Sequence, residues 1–519
     1  MAVGGGGCRA VKPAPDKATF PLSPNAAHRI ERLGRRPLLF NSIEFLFLFL
    51  PVTLVLYYTA RRFAGHQAAL ALLTLASLVF YGWWNASYLA LLLSSIIVNH
   101  GFGVVIRHRG SQPWLAIGMV FNLALIGVYK YADFFVANTN SVTGLDLPLA
   151  HLALPLAISF FTFQQISYLV DVARNHASPG SVVKHALFVS FFPQLIAGPI
   201  IRHREIADQF DDASRKDKLS DNLGIGFTIF ALGLAKKVLL ADNLEPFASS
   251  GFDIAAHGGE VGALAAWTSA LCYAFQIFFD FSGYSDMALG LARMFGFHIP
   301  ANFNAPYRAT SIVDFWRRWH ITLSRFLRDY LYIPLGGNRK GETRRWVNLF
   351  IVMLLGGLWH GAAWTFVVWG GLHGLGLAWC HWIDSKFPNG FFPKPLKFLA
   401  PLLTFAFVTF AWIFFRADSF DAASTMLAGM AGLNGLGENV GDEPFIAIIV
   451  SLAIIWGLPD TISAVSRYLD PRTLAGQENN LQKGWRWSAS TTSAILIASL
   501  FFIAIINSWT VAEFIYYRF

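Results

Sequence analysis

The sequence predicts an all-α protein that crosses a membrane many times. Three observations predict it. Apolar runs of spanning length follow one another nearly to the C-terminus, charges are too few to wet a soluble surface, and basic residues gather in a subset of the connecting stretches. Hydrophobic residues make up 55% of the 519 and charged residues 14%, where soluble domains run near a quarter charged. A soluble chain of this length would divide into several domains, each with its own charged surface. The 48 Phe and 17 Trp exclude a disordered chain. The three cysteines, Cys8, Cys272 and Cys380, lie far apart. They exclude a disulfide scaffold and carry no zinc or haem spacing. A β-barrel would alternate weakly in short segments instead of running apolar.

Taken in order, residues 1–37 read as a Gly/Pro-rich leader ending in Arg29, Arg32, Arg35 and Arg36, with no signal-peptide apolar core. Residues 38–519 read as one transmembrane domain. Its apolar runs are 43–60, 68–84, 88–106, 114–128, 153–170, 186–201, 223–235 and 264–281, then 347–358, 362–379, 399–415, 445–458 and 492–506. Pro155, Pro193, Gly198–Pro199 and Gly356–Gly357 break several of them, so re-entrant or tilted helices are expected there. About 10–12 crossings are expected, with short interfacial helices between them. No internal repeat is visible.

The net charge is +9. In a soluble protein that would raise nucleic acid as a partner; here it reads as basic loops holding the cytoplasmic side, with no nucleic-acid role. Stretches 61–62, 107–109, 174–184, 202–218 and 308–345 are basic and are expected inside. Stretches 251–261 and 434–444 carry no Lys or Arg and are expected outside. Nine Arg/Lys against three acids between Tyr307 and Arg345 make the largest local excess.

Polar information is densest between Gln276 and His373. Ionisable groups inside apolar segments are expensive and point to function. His360 stands out in LLGGLWHGAAW, where Gly356, Gly357 and Gly361 allow close approach. A neutral imidazole can accept and return a proton near pH 7. His320, in DFWRRWHITLS, is expected on an amphipathic surface helix sharing a face with Trp316, either as a functional group or as part of an interfacial anchor. Arg317, Arg318, Arg325 and Arg328, with Arg339 and Lys340, form a cationic segment suited to a phosphate-bearing donor such as coenzyme A or, equally, to anionic membrane lipid. His373 lies thirteen residues after His360, off its face unless Gly370–Gly371 breaks the helix, and reads as structural. Asp280 and Asp286 in DFSGYSD read as a hydrogen-bonded turn neutralising nearby Arg. No P-loop, HExxH or GxSxG is present, and the histidines lack the spacing of a metal pair, so no metal site is expected.

FFPQLIAGPIIRH (191–203), FDFSGYSDMALGLARMFGF (279–297), the stretch NFNAPYRATSIVDFWRRWHITLSRFLRDYLYIPLGGNRKG (302–341) and GGLWHGAAWTFVVWGGLHG (356–374) closely resemble the membrane-bound O-acyltransferase family. The nearest branch is the bacterial one that acetylates alginate and other exopolysaccharides. The resemblance implies helices ringed around a central tunnel and an inner-membrane acetyltransferase. It implies that His360 is the catalytic residue and His320 its upstream companion. It further implies acetyl-CoA as donor with no bound cofactor, an extracytoplasmic polysaccharide acceptor, and a periplasmic SGNH-like partner that finishes the transfer. The alternatives are a D-alanyl or other acyl transferase of the same family, and a proton-coupled transporter using the two histidines.

Overall fold

A computed structural model describes residues 38–519 apart from 111, 213–217, 388–390, 475, 510–513 and 516–519. The predicted leader, residues 1–37, lies outside the described residues. Every regular element among the described residues is helical.

The main helices are α1 (Phe45–Phe63), α2 (His66–Gly82), α3 (Ala86–Arg109), α4 (Gln112–Thr143), α5 (Ile158–Ala173), α6 (Val182–Ser190), α7 (His203–Asp211), α8 (Leu219–Ala256) and α9 (Ala263–Met294). After them come α10 (Ile312–Arg318), α11 (Ile321–Leu327), α12 (Glu342–His360), α13 (Trp364–Lys386), α14 (Leu399–Arg416), α15 (Phe420–Met430), α16 (Glu443–Gly457) and α17 (Thr491–Ile506). Six of these (α1, α3, α4, α8, α9, α14), and the segment Glu443–Tyr468 containing α16, are long and apolar enough to cross a membrane. Helices α2 and α17 are apolar but shorter. The run at 186–201 breaks at Phe191, and Pro193 sits in the first turn of the short helix Phe192–Leu195 that follows.

The centre of the fold is α9. From Cys272 to Ala292 it is buried on every face, which makes it a core helix. DFSGYSD is therefore helix interior and not the turn its Gly and Ser content suggests. Gly283 and Gly290 lie against Gly233 and Gly226 of α8, so close that a Cβ on Gly283 would stand 2.7 Å from the Gly233 carbonyl oxygen. Small residues let the two backbones touch. The partners of the aspartates are lysines, not arginines. Asp286 pairs with Lys236 at 2.7 Å, and Asp280 with Lys237 at 2.7 Å. A π-helical widening over Lys236–Ala241 lets both neighbouring lysines meet α9. Asp280 also accepts from the Ile515 N–H at 2.9 Å, tying the C-terminal segment to the core.

Helix ends join in two groups. In one group Tyr81 Oη donates to the Leu156 carbonyl, Trp364 Nε1 to Asn138 Oδ1, and Ala263 N–H to the Gly435 carbonyl. The connections at this end (83–85, 144–157, 257–262, 361–363, 417–419, 431–442) contain no Lys or Arg. At the other end Arg107 bonds Asn175, His66 the Phe210 carbonyl, and Arg308 the Leu458 carbonyl. The long basic segment 295–341 starts from that end and folds back into the bundle, where Trp319 and His320 are fully buried.

Candidate active site

His320 and His360 reach one place by different routes. WRRWH is not the single surface helix its spacing predicts. Helix α10 stops at Arg318, Trp319 is extended, and His320 takes a left-handed φ of +42° as the residue preceding α11. Trp316 and His320 thus share no helix face. His320 is 0% exposed, which removes the interfacial-anchor reading. The left-handed backbone of a non-glycine residue costs about 1–2 kcal/mol, and Asn302 holds it in place. Ile321 N–H donates to the Asn302 carbonyl at 2.9 Å. Thr322 donates from both N–H (3.3 Å) and Oγ1 (2.8 Å) to Asn302 Oδ1, which also lies 3.1 Å from His320 Nδ1. A backbone N–H only donates, so the atom facing it is the amide oxygen. His320 Nδ1 therefore carries the proton and Nε2 the lone pair. Among the described residues Nε2 has no hydrogen-bond partner.

His360 ends α12 at the tip of the α12–α13 hairpin. Gly357 and Gly370 let this hairpin close backbone to backbone: a Cβ on either would come within 2.2 Å of the Phe366 or Met353 carbonyl oxygen. Gly361 is extended and ends the helix. The break thus falls at Gly361–Ala363 and not at Gly370–Gly371. The His360 ring sits among Trp359, Trp369 and Phe415 at centroid distances of 4.9, 5.2 and 5.3 Å, and 6.4 Å from His320. His373, on α13, accepts at Nδ1 from the Trp316 indole at 3.2 Å. That is a packing role, reached by another route than its spacing, since His360 and His373 lie on different helices.

A small crevice of about 40 Å³ opens beside His360, lined by Lys130, residues 154–160, Ile196 and Trp359. Its rim, 154–157, belongs to the end without basic connections. Behind Trp359, a row of rings leads toward the basic end: Phe163 stacked at 5.0 Å, Phe326 stacked at 4.2 Å from Phe163, then Tyr330 tilted at 4.9 Å. Tyr330 donates to Asp171 at 2.9 Å.

The four candidate arginines differ in their surroundings. Arg318 pairs with Asp314 at 2.9 Å, Arg325 with Glu205 at 2.5 Å and Arg328 with Asp329 at 2.7 Å. Arg202 binds both Glu205 and Asp329, and Arg204 reaches Asp329 and Asp171. Arg202, Arg204, Arg325 and Arg328 thus meet three carboxylates, Glu205, Asp329 and Asp171. Burial alone would push the Asp329 carboxyl up, but Arg328, Arg202 and Arg204 hold it below the ordinary carboxylate value. Arg317 is exposed and makes no ion pair among the described residues. Two polar residues at the site escape sequence reasoning, Asn302 and Lys130. Lys130 carried a readable signal, being an ammonium inside an apolar run.

Residues 152–420 match the sequence profile of MBOAT, the membrane-bound O-acyltransferase family. The chain is 41% identical to the peptidoglycan O-acetyltransferase of Helicobacter pylori, over 93% of this chain and 98% of that protein. It is 43% identical to the probable alginate O-acetylase AlgI of Azotobacter vinelandii, over 76% of this chain and 78% of that protein. A teichoic acid D-alanyltransferase of Bacillus subtilis is 28% identical over 51% of this chain and 69% of its own length. The WHG and WRRWH histidines lie inside the matched region, on a multi-pass helical frame, and the chain belongs to the membrane-bound O-acyltransferase family.

Proposed function

We propose that this membrane O-acetyltransferase takes acetyl from cytoplasmic acetyl-CoA at its basic end and delivers it, across the inner membrane, to glycan hydroxyls outside. The observation that carries the reading is the pairing of buried His320 and His360 beside a crevice on the opposite, base-poor end. In the transfer step an acceptor oxygen bonds to the acetyl carbonyl carbon while the carbon–sulfur bond breaks. His360 takes the hydroxyl proton and returns it to the departing thiolate. A direct N–H···N bond of about 2.9 Å would bring the two imidazole centroids to roughly 5 Å. Their 6.4 Å separation instead suits one oxygen atom bridging them. His320, with Nδ1–H fixed by Asn302, offers Nε2 as the relaying or donor-positioning acceptor. Arg317, Arg318, Arg325 and Arg328 line the basic approach for the donor's phosphates, Arg317 as the exposed contact and the other three within ion-paired walls.

The relatives' names favour two glycan acceptors, peptidoglycan and alginate. An SGNH-like protein outside the membrane completes delivery to the polymer in this reading. D-alanyl transfer, the activity named for the teichoic acid relatives, is the second possibility within the family. The test is transfer of radiolabelled acetyl from acetyl-CoA in membranes, with His360→Ala compared at equal abundance. Loss of about 10²–10⁴-fold is expected of a missing general base. Activity within a few-fold of the parent refutes the role of His360, and transfer of D-alanine but not acetyl refutes the donor.

A further inference from the structure

No step above uses Lys130, yet it touches the catalytic turn. It lies in a π-widened turn of α4, Gly127–Tyr131. Its Nζ stands 2.6 Å from the Trp359 carbonyl oxygen, 3.0 Å from that of His360 and 3.4 Å from Ser159 Oγ. Beside it Tyr131 Oη donates to the Leu358 carbonyl at 2.8 Å. Two adjacent residues therefore bind three successive carbonyls, those of residues 358, 359 and 360. On a regular helix adjacent side chains diverge by about 100°. Widened turns of this kind recur at functional sites, and this one brings both side chains to α12.

The last carbonyls of a helix have no partner within it and form the negative end of its dipole. Many helices close this end with a left-handed residue. Gly361 is extended, at φ −156°, and cannot do so. We infer that Lys130 and Tyr131 are positioning residues that clamp the last turn of α12 and so fix His360 for acyl transfer. The inference rests on His360 being the base. Among the described residues Lys130 is the one Lys or Arg lining the crevice, but its three N–H bonds already face three oxygens. It therefore acts on the reaction through the main chain of His360 and not as a direct oxyanion donor. A shift of about 1 Å in a catalytic group can cost on the order of 10²-fold in rate.

The experiment measures kcat and the KM for acetyl-CoA, per amount of folded full-length protein, in membranes carrying Lys130→Gln, Lys130→Arg or Tyr131→Phe. Lys130→Gln should lower kcat about 10²-fold with KM within threefold. Lys130→Arg, which keeps charge and several donors, should recover at least tenfold of that loss. Tyr131→Phe, which removes one hydroxyl and is safe for folding, should lower kcat several-fold. In His360→Ala the further change Lys130→Gln should have no effect on residual activity, because both act through one group. Parental kcat in Lys130→Gln and Tyr131→Phe overturns the clamp. So does an equal loss in Gln and Arg variants, or an additive loss in the double variant. If Lys130→Gln does not fold, parental kcat in Tyr131→Phe alone overturns it. Parental activity in His360→Ala refutes the base assignment instead, which separates the two failures.

Discussion

Replacing Asn302 by Ala should cripple the enzyme without touching either histidine. Asn302 Oδ1 receives three donors, His320 Nδ1–H, Thr322 Oγ1–H and Thr322 N–H, all buried. Each such bond is worth about 1 kcal/mol net, and a buried donor left bare costs about 1–3 kcal/mol. The substitution should therefore cost about 3 kcal/mol locally. It also removes the side-chain half of what holds the left-handed backbone at His320, leaving only the Ile321 N–H bond to the main-chain carbonyl of residue 302 against the cost of a φ of +42°. With that constraint weakened, the His320 ring is free to take the other tautomer, and Nε2 no longer keeps the lone pair. Loss of about 10²-fold in kcat is expected, with the KM for acetyl-CoA changed little, since the arginines proposed to hold the donor's phosphates are untouched. Asn302→Asp keeps the acceptor and should retain more activity than Ala. The assay is acetyl transfer in membranes at several donor concentrations, normalised to folded protein. A kcat for Asn302→Ala within threefold of the parent would refute the reasoning, as would an Asp variant no better than Ala.

Gly357→Ala drives a Cβ within 2.2 Å of the Phe366 carbonyl oxygen; it should destabilise the α12–α13 hairpin by about 1–3 kcal/mol or more, read as lower thermal stability in detergent together with lost transfer. Arg317→Gln should raise the KM for acetyl-CoA and flatten its salt dependence, whereas Arg325→Gln, by removing a partner of Glu205, should chiefly reduce the amount of folded protein; KM and abundance for the two variants check this. Burial lowers the pKa of His203 to about 4, below the unfolded value of about 6.5. The unfolded chain thus takes up the proton first, and stability should fall by about 3 kcal/mol as pH drops from 6.5 to 4. Melting curves at pH 7 and 5 should show about 2 kcal/mol of that loss in the parent and a smaller one in His203→Gln.

The helical frame was legible because membrane crossing is a local property: a run of apolar residues is the signal and the structure at once. What was misread had a distant cause. The run at 223–235 looked finished at Lys236–Lys237, yet α8 continues to Ala256 because Asp280, Asp286 and Asp242 receive the two ammonium groups. DFSGYSD looked like a turn because Gly and Ser punctuate loops. Its Gly283 is instead one of two glycines spaced seven apart on α9 that meet two spaced seven apart on α8. Either half of that pattern alone is ambiguous; the pair fixes the helix crossing.

The site divides in the same way. His360 was legible because its setting is local, a histidine between glycines in an apolar run. The conformation of His320 was not, since its left-handed turn is held by Asn302, eighteen residues earlier and joined to it only in the fold. Helical spacing therefore gave it the wrong face. The arginines show the limit for charge. Counting between Tyr307 and Arg345 found a large excess, but Glu205, 120 residues before Arg325, answers two of the arginines at that face. Charge density along a sequence sets the sign of a surface, and the partners brought by other segments decide which cation stays open to a ligand. Here that selection leaves Arg317 exposed on the basic face and places Lys130, legible only as an ammonium inside an apolar run, against the carbonyl of His360.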